Sequence, residues 1–282
     1  MQTRRTVASY PLIFRQIQRI FNSLGLAIVK IDSANLTANE INLNIGSADS
    51  KLPGFINLDM PSNWYSKVQA RNSFIPFNAF LDELPFEEQT VSNIYISHVI
   101  EHLPESVVER LITNSLRCLK PNGVLRLCFP DAEFLYSVTK KGPQFWNRKE
   151  TNFFSNNKSK RFDPNEYDYL TQELASWSRL EFDPLLRDAF EDQQQLKLSE
   201  FEDAMNIAHS HSKYSAEFPG RHISWWTYSK LENLFHSNLE YLFPRTQIIL
   251  SKYQGSVSSR MTGFHFDKSV PFLSAYVEFV KA

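Results

Sequence analysis

Residues 91–131 read VSNIYISHVIEHLPESVVERLITNSLRCLKPNGVLRLCFPD, and this run decides the fold. Val91 to Ser97 is a strand with little polar interruption, as expected where a parallel sheet is covered on both faces. It runs into Ser97-His98-Val99-Ile100-Glu101-His102-Leu103-Pro104. Pro104 suits the first position of a helix, where its missing N–H would have no partner anyway. Val107, Val108, Leu111, Ile112, Leu116 and Leu119 then recur on one helical face. Lys120-Pro121-Asn122-Gly123 predicts a tight turn that stops the helix. Val124 to Phe129 predicts a second buried strand, ended by Pro130-Asp131. Strand, helix and strand in this order are the unit from which parallel α/β sheets are built.

Upstream, Ile41 to Ile45 is a strand that enters Gly46-Ser47-Ala48-Asp49. A glycine at a strand end permits a tight turn that brings backbone N–H groups close to a ligand. Asp59 closes the next apolar run, Phe55 to Leu58. An acidic side chain at the end of a second strand can accept hydrogen bonds from both ribose hydroxyls of a nucleoside. A plain strand–turn–strand unit with a surface aspartate also accounts for this pair, because one glycine is a weak signal. Downstream, Ser224 to Leu239 predicts a helix with Trp225, Tyr228, Leu231, Leu234 and Phe235 toward the core. Gln247 to Tyr253 and Ser274 to Val280 predict an antiparallel pair of strands.

Four zones follow: a helical lead-in over 1–40, a core over 41–131, an insertion or lid over 132–221, and the rest of the core over 222–282. The lead-in carries Leu12, Ile13, Ile17, Ile20, Phe21 and Leu24 at helical spacing, which predicts an amphipathic helix against the core, with an interfacial membrane helix as the alternative. The insertion holds Trp146, Phe153, Phe154, Tyr167, Tyr169, Trp177 and Phe182, so it is expected to be folded and mainly helical rather than a linker.

With 42% hydrophobic and 14% aromatic residues, the chain has the means for a packed core, so wholesale disorder is not expected. The net charge of −1 gives no global basic field, and nucleic acid is not an expected partner. Cys118 and Cys128 make neither a disulfide framework nor a zinc cluster. No stretch is apolar enough to span a membrane, and Arg4-Arg5 lacks the apolar region that a twin-arginine signal needs. A cytoplasmic location is expected, and the oligomeric state is open.

The elements Leu84-Pro85-Phe86, Ser97-His98-Val99-Ile100-Glu101-His102-Leu103, Leu119-Lys120-Pro121-Asn122-Gly123 and Pro130-Asp131 resemble the class I S-adenosylmethionine (SAM)-dependent methyltransferases of the type-11 kind. They are especially similar to a subgroup often found with polysaccharide biosynthesis. Phe266-Asp267 and Pro271 to Lys281 resemble that subgroup's closing strand. The resemblance implies a Rossmann-like seven-stranded sheet, mostly parallel with an antiparallel last strand, and SAM as cofactor. It implies that Gly46, Ser47 and Ala48 lie along the methionine part of SAM and that Asp59 binds the ribose. It places Asn78, Leu84 and Phe86 near the adenine, and Ser97 and His98 facing the methyl group and the acceptor. Ala48 stands where the family usually has a second glycine, and Asn44 where an acidic residue is common.

His98-x-x-Glu101-His102 also matches an inverted zinc-peptidase motif. That motif needs both histidines on one continuous helix, and Pro104 disfavours helical geometry at Leu103. No metal site is expected. His98 is a candidate general base for an acceptor hydroxyl, or a residue that holds the strand–helix turn. Glu101 and His102 are expected to hold that turn. Arg221 and His222, with Arg126 and Asp131, are candidates for an acceptor pocket; His209, His211 and Tyr214 precede them in a polar run that reads equally as solvated surface. The leading expectation is methyl transfer from SAM to a hydroxyl, on a sugar or polysaccharide precursor by resemblance. A degenerate methyltransferase fold acting as a non-catalytic scaffold, and a small-molecule methyltransferase unrelated to sugars, are the rivals.

Overall fold

The computed structural model describes residues 40–142, 144–146, 170, 173–175, 202, 205, 209 and 213–282. The predicted lead-in helix and most of the insertion, His211 included, lie outside the described residues.

Seven strands form one sheet: β1 (Ile41–Ile45), β2 (Ile56–Asp59), β3 (Ile75–Pro76), β4 (Val91–Ser97), β5 (Leu119–Pro130), β6 (Gln247–Leu250) and β7 (Ser274–Val280). Their spatial order is β3-β2-β1-β4-β5-β7-β6. The first five strands pair in parallel. β7 runs antiparallel to both β5 and β6. This is the α/β, Rossmann-like sheet with an antiparallel closing strand. β1 has β2 on one side and β4 on the other, so the order reverses there. Ligands of open α/β sheets bind outside the carboxyl ends of the strands at such a switch point.

Parallel strands form here because their side chains can be buried on both faces. Leu43, Ile94, Ile96, Leu125, Leu127 and Phe129 are all nearly inaccessible. A short helix, α1 (Ser66–Gln69), follows β2, and the longer α2 (Glu105–Cys118) covers one face with Val108, Leu111, Ile112 and Leu116. Each such side chain contributes about 1.5–3 kcal/mol by leaving water. A second helix on the core, α4 (Tyr228–Asn238), buries Leu231 and Phe235. It begins later than the sequence predicts, since Thr227 caps it by accepting the Lys230 N–H at 3.0 Å. Residues 224–226 are instead drawn into the core as extended chain, with Trp226 pairing with Asp131. The turn at Lys120–Gly123 is also placed differently. Leu119 already pairs with Val91, and pairing resumes at Val124 with Asn93, so the turn is a bulge within β5, with Asn122 left-handed at φ 63°.

The helix α3 (Ala132–Thr139) follows β5, and Ala132, Leu135 and Tyr136 pack with Trp146, Leu170, Leu174, Met205 and Trp225 in a cluster of their own. These described residues of the insertion bury apolar surface. Among the described residues no helix is long and apolar enough to cross a membrane.

Candidate functional site

Three strand ends meet at the switch point. After β1 the chain turns through Gly46 at φ 70°, a conformation that L side chains rarely adopt. The Gly46 N–H donates to the Leu58 carbonyl at 2.9 Å and Ser47 N–H to the same oxygen at 3.3 Å, which ties the turn to the end of β2. A Cβ on Gly46 would lie 2.2 Å from Cγ2 of Val99, just past β4. Ala48 is also left-handed, at φ 46°. Its N–H donates to Oδ2 of Asp59 at 2.8 Å, while Oδ1 accepts the Met60 N–H at 2.8 Å. Burial raises the pKa of Asp59, and these N–H contacts oppose the shift. Each carboxylate oxygen still has acceptor capacity. The Ser47 hydroxyl is buried without a partner. A strand-end turn held open by positive φ, an orphan hydroxyl on it and a half-buried carboxylate one strand over are the parts that a nucleoside-bearing cofactor needs. Asn78 lies just past β3, where Phe77 N–H donates to the Asp59 carbonyl at 2.9 Å, so it too stands at this edge.

At the end of β4, Ser97 is paired with Cys128. His98 follows with φ 53° and keeps the ladder going by donating its N–H to the Cys128 carbonyl at 2.8 Å. This strained backbone aims the imidazole across the edge. Nε2 meets the Ser274 hydroxyl at 2.9 Å, and Nδ1 lies 3.1 Å from Oε1 of Glu101. The latter contact is an ion pair rather than an aligned hydrogen bond, since both Glu101 oxygens lack a hydrogen-bond partner. Burial pulls the His98 pKa down, but the Glu101 carboxylate outweighs it and leaves it raised. Burial likewise pushes Glu101 up, yet contact with His98 and the neighbouring histidines hold it at about 2.

Glu101 sits on a single 3-10 turn, Ile100–His102. Leu103, which precedes Pro104, is extended at φ −116° and ψ 145° and ends that turn. His98 and His102 therefore do not share a helix, and the zinc-peptidase arrangement does not form. The Glu101 carbonyl instead accepts the N–H groups of Ile223 and Ser224 at 2.8 and 3.1 Å. That draws the 221–224 segment beside the turn. His102 Nδ1 is 3.0 Å from the Arg221 carbonyl, and the His102 and His222 rings pack edge-on at 4.8 Å between centroids. His222 Nδ1 contacts the Glu173 carbonyl, and burial with His102 nearby lowers its pKa to about 4. Burial lifts Glu173 to about 7. Glu101, His102 and His222 each offer a ligand atom within 4.8 Å of the others.

Other candidates fall elsewhere. Leu84 and Phe86 are not at the cofactor edge. Their carbonyls accept from Arg117 at 3.4 Å and from the Cys118 thiol at 3.3 Å, at the end of α2 where β5 begins. This is the amino-terminal edge of the sheet, and Leu84 is a core residue, 2% exposed. Arg126 is not in an acceptor pocket. Its guanidinium is fully buried, 2.6 Å from Asp267 and 2.9 Å from Glu278, and also donates to the carbonyls of Gly255 and Lys252. Asp131 caps α3, with its side chain accepting the Phe134 N–H at 3.2 Å. The Arg221 side chain lies outward over the Phe218 ring at 4.6 Å, so its carbonyl is what reaches His102. His209 bridges the Met205 and Leu174 carbonyls at 2.7 and 2.8 Å inside the insertion, and Tyr214 stacks on Phe80 at 4.2 Å. Ser274, Glu173 and the exposed aromatic pair Trp64–Phe218, 5.4 Å apart, are neighbours that sequence reasoning missed. An open cavity of about 490 Å³ lies at the opposite edge, among Lys120, Asn122, Gln247 and Ser258, and holds none of these residues.

Residues 55–127 match the family model described as a methyltransferase domain. No curated protein matches the chain. Among solved structures, a SAM-dependent methyltransferase from Archaeoglobus fulgidus is similar at 12% identity over 97% of this chain and all of that one, with a TM-score of 0.42. One from Methanosarcina mazei is similar at 13% identity over 91% of this chain and 99% of that one, with a TM-score of 0.39. The SAM-dependent methyltransferase SibL is similar at 10% identity and a TM-score of 0.36; this chain covers 60% of its length and 98% of its own. The methyltransferase-domain match runs from β2 into β5 of a sheet whose order and antiparallel closing strand are those of the Rossmann-like α/β fold expected from the sequence.

Proposed function

We propose that the acceptor atom is a hydroxyl oxygen, carried by a sugar or polysaccharide precursor. The observation that carries this reading is His98, held between the buried Glu101 carboxylate and the Ser274 hydroxyl at the carboxyl end of β4. An alcohol must lose a proton as its oxygen attacks, whereas a neutral amine or a thiolate needs no base. A neutral histidine oriented at Nδ1 by a carboxylate is suited to take that proton on Nε2 once an acceptor hydroxyl replaces Ser274 there, and the carboxylate then stabilises the imidazolium. The sugar class is supported by the resemblance of the 84–131 run and by the rim. Trp64 and Phe218 are exposed at 55% and 39%, and offer apolar ring faces of the kind that pack on sugar C–H groups, with the Arg221 guanidinium beside them.

SAM brings a methyl group on a sulfonium, already a strong electrophile, so the protein's part is alignment and proton removal. Gly46 and Ser47 would hold the methionine portion through the turn, and Asp59 the ribose hydroxyls. Asn78 would flank the base, and Ser97 would lie beside the transferred methyl.

The test is an acceptor panel of saccharides, amines and thiols with labelled SAM, run on the chain and on His98→Gln. Hydroxyl methylation should fall about 10²–10⁴-fold in the variant, the range of general-base contributions, while binding of the product S-adenosylhomocysteine (SAH) is retained. Turnover confined to amines or thiols, or full turnover by His98→Gln, would refute the proposal.

A further inference from the structure

The side chains behind His98 form a donor set of which the proton-transfer reading uses only Oε1 of Glu101. Glu101 is 3% exposed at its side chain; Oε1 lies 3.1 Å from His98 Nδ1, and Oε2 has no hydrogen-bond partner. A buried carboxylate oxygen in that state is costly unless a cation meets it. His102 Nε2 lies 3.9 Å from Oε1, too far for a hydrogen bond. Its Nδ1 faces the Arg221 carbonyl, which can only accept, so Nδ1 carries a proton and Nε2 is the ring atom turned toward the carboxylate. His222 is held in the same manner, with Nδ1 on the Glu173 carbonyl. Histidines that bind metals are typically oriented in this way, with the second ring nitrogen donating to a carbonyl or carboxylate.

We infer that Glu101, His102 and His222 bind a divalent cation of the borderline first-row class, zinc or iron(II) in type, beside the acceptor side of the methyl-transfer centre. Donor atoms about 2.0–2.2 Å from such an ion stand roughly 3–4 Å apart. The 3.9 Å separation of Glu101 and His102 already fits, and the 4.8 Å limit across the three closes with about an ångström of side-chain movement. Two imidazoles and one carboxylate favour zinc, iron(II) or cobalt(II) over magnesium or calcium, which prefer oxygen ligands. Three protein ligands leave a coordination position open, the pattern of catalytic rather than structural sites. The ligands come from the turn after β4 and from the 221–224 segment that the Glu101 carbonyl holds in place, so the ion also pins that segment.

The consequence for chemistry rests on the hydroxyl reading above. An acceptor O–H at the open position has its pKa lowered. The proton passes to His98 Nε2, the oxygen forms a bond to the SAM methyl carbon, and the C–S bond breaks with its electron pair returning to sulfur. The products are a methyl ether and SAH, with no redox change.

The experiment uses the full chain, stripped with a chelator and retitrated with cobalt(II). One equivalent should bind, with visible absorption of a low-coordinate cobalt site. His222→Ala and, separately, Glu101→Gln should each raise the cobalt Kd at least tenfold, while SAH affinity by calorimetry stays within twofold for His222→Ala. Sub-stoichiometric cobalt in a chain that binds SAH normally would overturn the site, as would binding indifferent to both substitutions. Amine methylation by a chain that binds one cobalt through these residues would sink the hydroxyl reading and leave the ion site standing.

Discussion

Replacing Gly46 by alanine should damage the cofactor turn through two separable terms. The first is backbone. At φ 70° an L residue pays roughly 1–2 kcal/mol for a left-handed conformation. The second is steric. The new Cβ would meet Val99 Cγ2 at 2.2 Å. Val99 is β-branched and stiff at χ1, so it cannot swing aside freely, and overpacking of this sort costs about 1–3 kcal/mol. Gly46→Ala should therefore lose about 2–5 kcal/mol in all, seen as lower stability if the turn is held or as weaker SAH binding if it relaxes. Val99→Ala removes the clashing methyl. In that background Gly46→Ala should lose only about 1–2 kcal/mol, the backbone share. The four proteins form a double-mutant cycle with a coupling of about 1–3 kcal/mol. Thermal unfolding and SAH calorimetry on each supply the two readouts. An equal penalty from Gly46→Ala with and without the valine side chain would refute the steric half. No penalty in either background would refute the turn itself.

Asp59→Asn should raise the SAH Kd by about 10–100-fold, the worth of charge-assisted hydrogen bonds to two hydroxyls. Burial raises this group's pKa in the folded chain. The folded state therefore holds its proton more tightly than the unfolded state does, so ionisation of Asp59 lowers folding stability as pH rises through the raised pKa. SAH affinity should conversely decline as pH falls toward that pKa, above the ordinary 3.8, and Asp59→Asn should abolish that dependence in a calorimetric pH series; an unchanged profile would show that another group titrates. Ala48→Gly should relieve left-handed strain at φ 46° and stabilise the chain by up to about 1 kcal/mol, with melting temperature as the measurement. Arg126→Met should destabilise by about 3–5 kcal/mol, because Asp267 and Glu278 would be left buried without their cation. SAH affinity of the folded fraction should stay unchanged; a selective loss of acceptor KM with normal stability would restore Arg126 to the acceptor side.

The sheet was legible because burial on both faces writes itself into contiguous apolar runs. Val91–Ser97 and Val124–Phe129 are such runs, and both are strands. Gly46 and Asp59 were legible because each ends its strand. Leu84 and Phe86 were misplaced for a reason internal to parallel sheets. The chain leaves β3 at its carboxyl end and must cross to the amino end of β4, so residues just before β4 arrive at the edge away from the ligand. Arg126 is kept from the acceptor side by partners remote in sequence. It pairs with Tyr95 and Glu278 well inside the sheet, and the carboxylates that neutralise it are 141 and 152 residues away in sequence. No local pattern reports such a separation. Ser274 and Glu173 were invisible for the same reason.

Glu101 shows why the site resists reading from one segment. Its carbonyl accepts two N–H groups from Ile223 and Ser224, while its side chain faces His98 and His102. The backbone task needs no particular side chain. A glutamate is therefore not required to hold the 221–224 segment, and its buried charge, costly in isolation, needs a reason in the side chain's own surroundings. His98 supplies one partner, positive once it has taken a proton. The second, facing His102 and His222, is either a proton or a metal ion, and these differ in one measurable respect. A proton leaves the cluster indifferent to chelators, whereas an ion makes the chelated chain lose whatever stability the docking of 221–224 draws from it. Glu101→Gln should remove that chelator sensitivity and keep the backbone contacts, so comparing chelator effects on the two proteins separates the electrostatic role of this residue from its structural one.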